Sequence, residues 1–171
     1  MERIRASLRA FSALDARKKA IVCTCVALLI ALIVTLCISI NIRSNMQRKY
    51  TDARNKTGEA LYSNLYILMQ TFDMTGVPNT DVENAILPQM RDYYVASITL
   101  NNLLSQTYGP RYAVLSESDI NNLTSAFTGY EAAYTNNTST DLAQSNMQLC
   151  MDRVKELLNT RYSQGVLRAG R

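Results

Sequence analysis

Hydrolytic and group-transfer chemistry draws on few side-chain arrangements: a nucleophile with a base, paired carboxylates, or a metal with its ligands. The 171 residues contain no His. Ser-His and Cys-His couples are therefore excluded, and so is the Glu-x-x-His ligand pattern of di-iron bundles. Acid pairs occur at Asp81 with Glu83 and at Glu117 with Asp119. Both pairs fall where helices begin, and carboxylates there complement the helix dipole. None of the six Gly builds a phosphate-cradling loop. Of the four Cys, Cys23, Cys25 and Cys37 share one apolar stretch and Cys150 stands apart. Cys150 falls on an apolar helical stripe, which assigns it to core packing; a redox or acylation role is the alternative. The expectation is a protein that is not an enzyme, with no catalytic residue, no metal ligand and no cofactor.

Recognition is the remaining chemistry. Ten Tyr are present. Tyr94, Tyr130 and Tyr134 are candidates for a partner surface, because Tyr is favoured at interfaces; filling the core is the competing role. Asn-x-Ser/Thr occurs at Asn55, Asn122, Asn136 and Asn137, a glycan acceptor only in a eukaryotic secretory context. Charge is divided unevenly. Residues 1–56 carry eleven basic residues against three acidic ones, and residues 57–171 carry seven against eleven. After Lys56 the only lysine is Lys155. Nucleic acid is not an expected partner, because phosphate neutralisation needs clustered Lys and Arg.

The elements that must carry these side chains start with the membrane. Residues 20–42 are 23 consecutive uncharged residues, AIVCTCVALLIALIVTLCISINI, bracketed by Lys18, Lys19 and Arg43. As a helix they span roughly 34 Å, against about 30 Å of hydrocarbon. A buried core helix seldom runs this long without a polar stripe. A cleaved signal peptide has a shorter apolar region and small residues at its cleavage site, and no A-x-A pattern follows here. An uncleaved single-pass signal anchor is expected, with the lipid bilayer as partner. Basic residues flank the run five against five, in residues 5–19 and 42–56. Arg3 and the terminal amine tip the balance toward a cytoplasmic N-terminus. The acidic, Lys-poor remainder is then extracytoplasmic at the cell membrane. In the tail, residues 1–19, Ile4, Leu8, Phe11 and Leu14 share one helical face. A short interfacial helix and a disordered topogenic tail both fit that pattern.

Four helical segments follow. The first covers about Ser44 to Met74, continuous with the apolar run, with a coiled-coil-like stripe Tyr50, Ala53, Thr57, Leu61, Leu65, Leu68 and Phe72. Thr75-Gly76-Val77-Pro78 ends it, with Gly76 suited to a left-handed cap. The second begins in a capping box at Thr80-Asp81-Val82-Glu83 and continues Ile86, Met90, Tyr93, Ser97, Leu100, Leu104. Pro88 either kinks this helix or marks its true start. In the third, Ser116 and Asp119 form a capping box and Leu115 and Ile120 a hydrophobic staple, ahead of Leu123, Phe127, Tyr130 and Tyr134. The fourth starts between Ser139 and Asp141, carries Ala143, Met147, Cys150, Val154, Leu157 and Arg161 at heptad spacing, and ends at Gly165.

The expected fold class is all-α: one N-terminal transmembrane helix, then an antiparallel up-down four-helix bundle over residues 43–165 and a flexible tail at 166–171. Antiparallel alternation returns the C-terminus toward the bilayer. Arg161, Arg168 and Arg171 would then join Arg43, Arg48 and Lys49 in a membrane-proximal basic collar.

Over residues 20–165 this layout resembles extracytoplasmic four-helix sensor domains and bacterial membrane-anchored helical proteins, at the level of fold. Receptors of that kind carry a second membrane segment, and the sequence holds no second apolar run of that length. The expected function is a membrane-anchored, non-enzymatic helical module that binds a partner protein or envelope component. The alternative is a small sensor or regulator acting through its membrane helix on a separate partner.

Overall fold

The structure is a computed structural model and describes residues 15–77, 81–136 and 138–163. The tail face of Ile4, Leu8, Phe11 and Leu14 lies outside those residues. So do Pro78, Thr80, Gly165 and the segment 166–171. Every regular element among the described residues is helical and no strand forms. Four long helices occur: α1 (Ala16–Asp73), α2 (Leu87–Tyr108), α3 (Glu117–Thr135) and α4 (Asp141–Ser163). The chain divides into two compact units, Met1–Tyr50 and Thr51–Arg171.

The first unit contains the apolar run. It belongs to the one described helix long and apolar enough to cross a membrane. Its Leu, Ile and Val side chains are exposed all round, from Ile21 to Ile42. The run's two Thr hydroxyls donate to carbonyls one turn back, Thr24 to Ala20 at 2.9 Å and Thr35 to Ala31 at 2.8 Å. Such back-bonding satisfies a hydroxyl without water.

The second unit is built on a shared core. From α1 come Leu61, Leu65, Leu68 and Phe72; from α3, Leu123, Phe127 and Tyr130; from α4, Met147, Met151, Val154 and Leu158. Ile86, Leu87, Met90 and Leu104 join it, as do Val114, Leu115 and Ala126. The α1 stripe is buried only from Leu61 onward. Tyr50 and Ala53 are exposed, so the expected stripe is too long at its N-terminal end.

The helix ends explain where the elements stop. Below Asp73 the last turn of α1 tightens into a 3-10 turn, Met74–Gly76, closed by Val77 N–H donating to Met74 O at 3.1 Å. Gly76 is not the left-handed cap expected of it. The positive-φ glycine among the described residues is Gly109, at φ 104°, where α2 ends and the chain turns into Pro110–Tyr112. A side chain there would be strained.

The start of the second segment also differs from its sequence signature. The cap is Asp81, whose carboxylate accepts from Asn84 N–H at 3.0 Å. A wide π-turn, Val82–Ile86, follows, with Ile86 N–H donating five residues back to Asp81 O at 3.3 Å. Pro88 then sits in the first turn of α2, where a missing N–H costs nothing. It marks a start and not a kink. The third segment starts as its sequence indicates. Asp119 N–H donates to Ser116 Oγ at 3.2 Å, and Ser116 N–H donates to Asp119 Oδ2 at 3.0 Å.

Candidate functional site

Three places in the second unit assemble chemistry-bearing side chains from separate elements. The first is the tyrosine cluster. Tyr94 of α2 stacks on Phe127 of α3, centroids 4.7 Å apart, and donates its hydroxyl to Thr124 Oγ1 at 2.8 Å. Tyr130 meets Phe72 of α1 edge-on at 5.6 Å and Tyr134 at 5.0 Å. Tyr130 is 0% exposed, so it cannot line a partner surface as the sequence suggested. Its ring fills the core where α1 and α3 meet, and burial pushes its hydroxyl well above the usual phenol range. Tyr94 and Tyr134 are half-buried and pack against the same core. Sequence spacing placed Tyr130 and Tyr134 on one face of the third segment and Tyr94 on the second, but could not say how deeply each ring is covered.

The second place is a groove of about 390 Å³ between α3 and α4, lined by Asn122, Ala126, Asn146, Leu149, Cys150 and Arg153 among others. Cys150 is half-buried and donates its Sγ–H to Asn122 O at 3.7 Å. The core axis of α4 runs through Met147, Met151, Val154 and Leu158. Cys150 is one position off that axis, at the groove wall, and does not reach the fully buried position read for it. Burial and the Asp119 carboxylate both push its thiol upward, away from the reactive thiolate. Arg153 spans the groove, pairing with Asp119 at 3.4 Å and Glu156 at 2.7 Å. Burial pushes the Asp119 carboxyl up, but hydrogen bonds from Ser116 and Arg153 outweigh it and hold the group below the usual range.

The third place was missed by sequence reasoning. Asn101 of α2 is 1% exposed. Its Oδ1 accepts from Val114 N–H at 2.8 Å and Leu115 N–H at 2.9 Å, and its Nδ2 donates to Leu115 O at 3.0 Å. One amide thus satisfies three buried backbone groups of the α2–α3 connection. An Asn at a core position inside a helical stripe was the available signal, since Asn is seldom buried without full pairing.

The basic residues expected in a collar are distributed as follows. Arg43, Arg48 and Lys49 lie on α1 in the first unit. Arg161 lies near the end of α4 in the second unit and donates to Arg111 O at 3.5 Å. Arg168 and Arg171 lie outside the described residues. Among the described residues no three His, Cys, Asp or Glu side chains gather as metal ligands would. No protein-family model matches this chain, and neither curated proteins nor solved structures match it.

Proposed function

We propose that this protein is a membrane-anchored, non-enzymatic helical module whose second unit binds a partner protein or cell-envelope component outside the cytoplasm. One observation carries the reading. Residues 20–42 form a helix with aliphatic side chains exposed on every face. Water-soluble proteins seldom expose contiguous apolar patches beyond a few hundred Å². Lipid is the solvent that such a surface fits.

The second unit is read as an up-down bundle. Tyr94 with Phe127 and Arg91 with Glu131 support antiparallel α2 and α3. Asp119 with Arg153 and Asn122 with Cys150 support antiparallel α3 and α4. Arg54 with Tyr112 and Phe72 with Tyr130 support a parallel course for α1 and α3. The α3–α4 groove is the proposed binding face, with Leu149, one of its lining residues, 68% exposed. A second reading, a sensor or regulator working through the membrane helix, is favoured by one fact. α1 supplies both the apolar run and the core residues Leu61, Leu65, Leu68 and Phe72.

Two measurements on the full chain test this. The protein should stay in the pellet when membranes are washed at alkaline pH; release would overturn the span. A reporter active only outside the cytoplasm, fused after Arg171, should be active. Activity only from a cytoplasmic reporter would reverse the sidedness.

A further inference from the structure

Three arginines from three separate elements gather around Pro110–Tyr112 in the second unit. Arg54 of α1 donates to the Tyr112 hydroxyl at 3.0 Å and lies over the Tyr112 ring at 4.6 Å. Arg111 lies over the same ring at 4.8 Å. Arg161 of α4 reaches the Arg111 carbonyl at 3.5 Å. Arg54 also donates to Asn55 Oδ1 at 3.0 Å. Every one of these contacts is to a neutral group.

The other arginines of this unit that form ion pairs, Arg91 and Arg153, have carboxylates. Arg54, Arg111 and Arg161 take part in none of the ion pairs among the described residues. Glu117 lines the same hollow as Arg161 without pairing with it. Arg54 and Arg111 share one ring, so they sit within about one Debye length, roughly 10 Å, and repel each other. The fold holds them in place through a π face and hydrogen bonds and leaves their charge unmatched.

We infer that the Arg54–Arg111–Arg161 cluster around Tyr112 docks on anionic phospholipid headgroups, an inference that rests on the reading of α1 as a membrane span. Guanidinium forks match phosphate oxygens in geometry as well as charge. Tyr is a residue of the membrane–water interface. The tether is short. Arg54 follows Ile42 by only twelve residues, a chain length of at most about 40 Å. Lipid phosphates therefore lie within covalent reach of the cluster. The sequence suggested a basic collar but could not include Arg54 or Arg111 with Arg161, because the assembly depends on where the α2–α3 connection folds.

The experiment places the full chain in nanodiscs of phosphatidylcholine alone and in discs that also contain phosphatidylglycerol. Hydrogen exchange is followed at the Tyr112 and Ala113 amides, which donate to Gly109 O and Pro110 O at 3.0 and 3.2 Å. Exchange there should be about fivefold or more slower in the anionic discs at low salt, and the difference should vanish at high salt. The Thr138 amide, at the other end of α3, should show no such difference. Replacing all three arginines by Gln should abolish the effect, and replacing Arg111 and Arg161 by Lys should keep most of it. Should the triple variant unfold, Arg111→Gln alone removes one charge without removing a hydrogen bond, and it should remove about a third of the slowing on a logarithmic scale. Equal exchange in the two discs with the chain inserted overturns this inference alone. Failure to insert in either disc overturns the membrane span and this inference together.

Discussion

Helix α1 contains two apolar stretches that differ in one respect. Residues 20–42 are apolar on every face, and the helix shows them to its surroundings on every face. Residues 61–72 are apolar on one side, and Leu61, Leu65, Leu68 and Phe72 on that side are buried while Ser63, Tyr66 and Gln70 are exposed. Both stretches are helical, so local propensity does not separate them. The angular distribution of apolar residues does. An aliphatic side chain in the later stretch is stabilised by its protein neighbours, and one in the earlier stretch lies exposed among the described residues.

The same substitution in the two stretches gives the largest expected contrast. Leu65→Ala should cost about 2–5 kcal/mol of unfolding free energy, because it leaves a cavity in a closed core. Leu32→Ala should leave the unfolding of the second unit unchanged within about 0.5 kcal/mol. Denaturant titration of the full chain in detergent reads both. Equal losses would erase the distinction between the stretches.

Asn101→Leu tests whether polar pairing inside the second unit matters as much as its apolar stripes. The variant keeps the volume but strands the Val114 and Leu115 amides, so a loss of about 1–3 kcal/mol is expected. Hydrogen exchange at those two amides should quicken more than elsewhere. No change would show that water reaches them.

A smaller effect is expected at the α3 cap. Ser116→Ala should cost about 1 kcal/mol. The pH dependence follows from Asp119, whose folded pKa lies below its ordinary 3.8. A depressed carboxyl stabilises the fold above the unfolded value, and that stability is lost as pH falls from about 3.8 through the lower folded value. Asp119→Asn should flatten the acid limb of the stability curve. The smallest effect concerns Ser97, whose buried Oγ has no partner. Ser97→Ala should leave stability unchanged or raise it by up to about 1 kcal/mol, since the lost group was unpaired.

The parts of the fold that were legible in the sequence depend on neighbours a turn apart. The apolar run, the Ser116–Asp119 cap and the stripe of α3 are of that kind. The parts that were not depend on distant chain. Tyr130 shares a face with Tyr134, yet it is buried in a core that distant chain helps to build, with the ring of Phe72 edge-on against it. Cys150 shares a heptad column with Met147, but helical rotation puts Met151 on the core axis instead. The wide turn between the Asp81 cap and the Pro88 first turn of α2 has no signature in the sequence of the segment. The cluster around Tyr112 was hidden for the same reason, since Arg54 and Tyr112 are 58 residues apart.

That separation has a consequence for synthesis. The Asn101 clamp closes only 13 or 14 residues of chain, and the Asp119–Arg153 pair closes 34. Contacts so local form early. Arg54 of α1 meets Tyr112 across 58 residues, and Phe72 meets Tyr130 of α3 across as many. A ribosome making about 5–20 residues per second leaves the core stripe of α1 without its α3 partners for several seconds. During that interval α1 presents an unshielded greasy stripe to whatever handles the nascent chain, and a holdase that grips it need release only when α3 emerges.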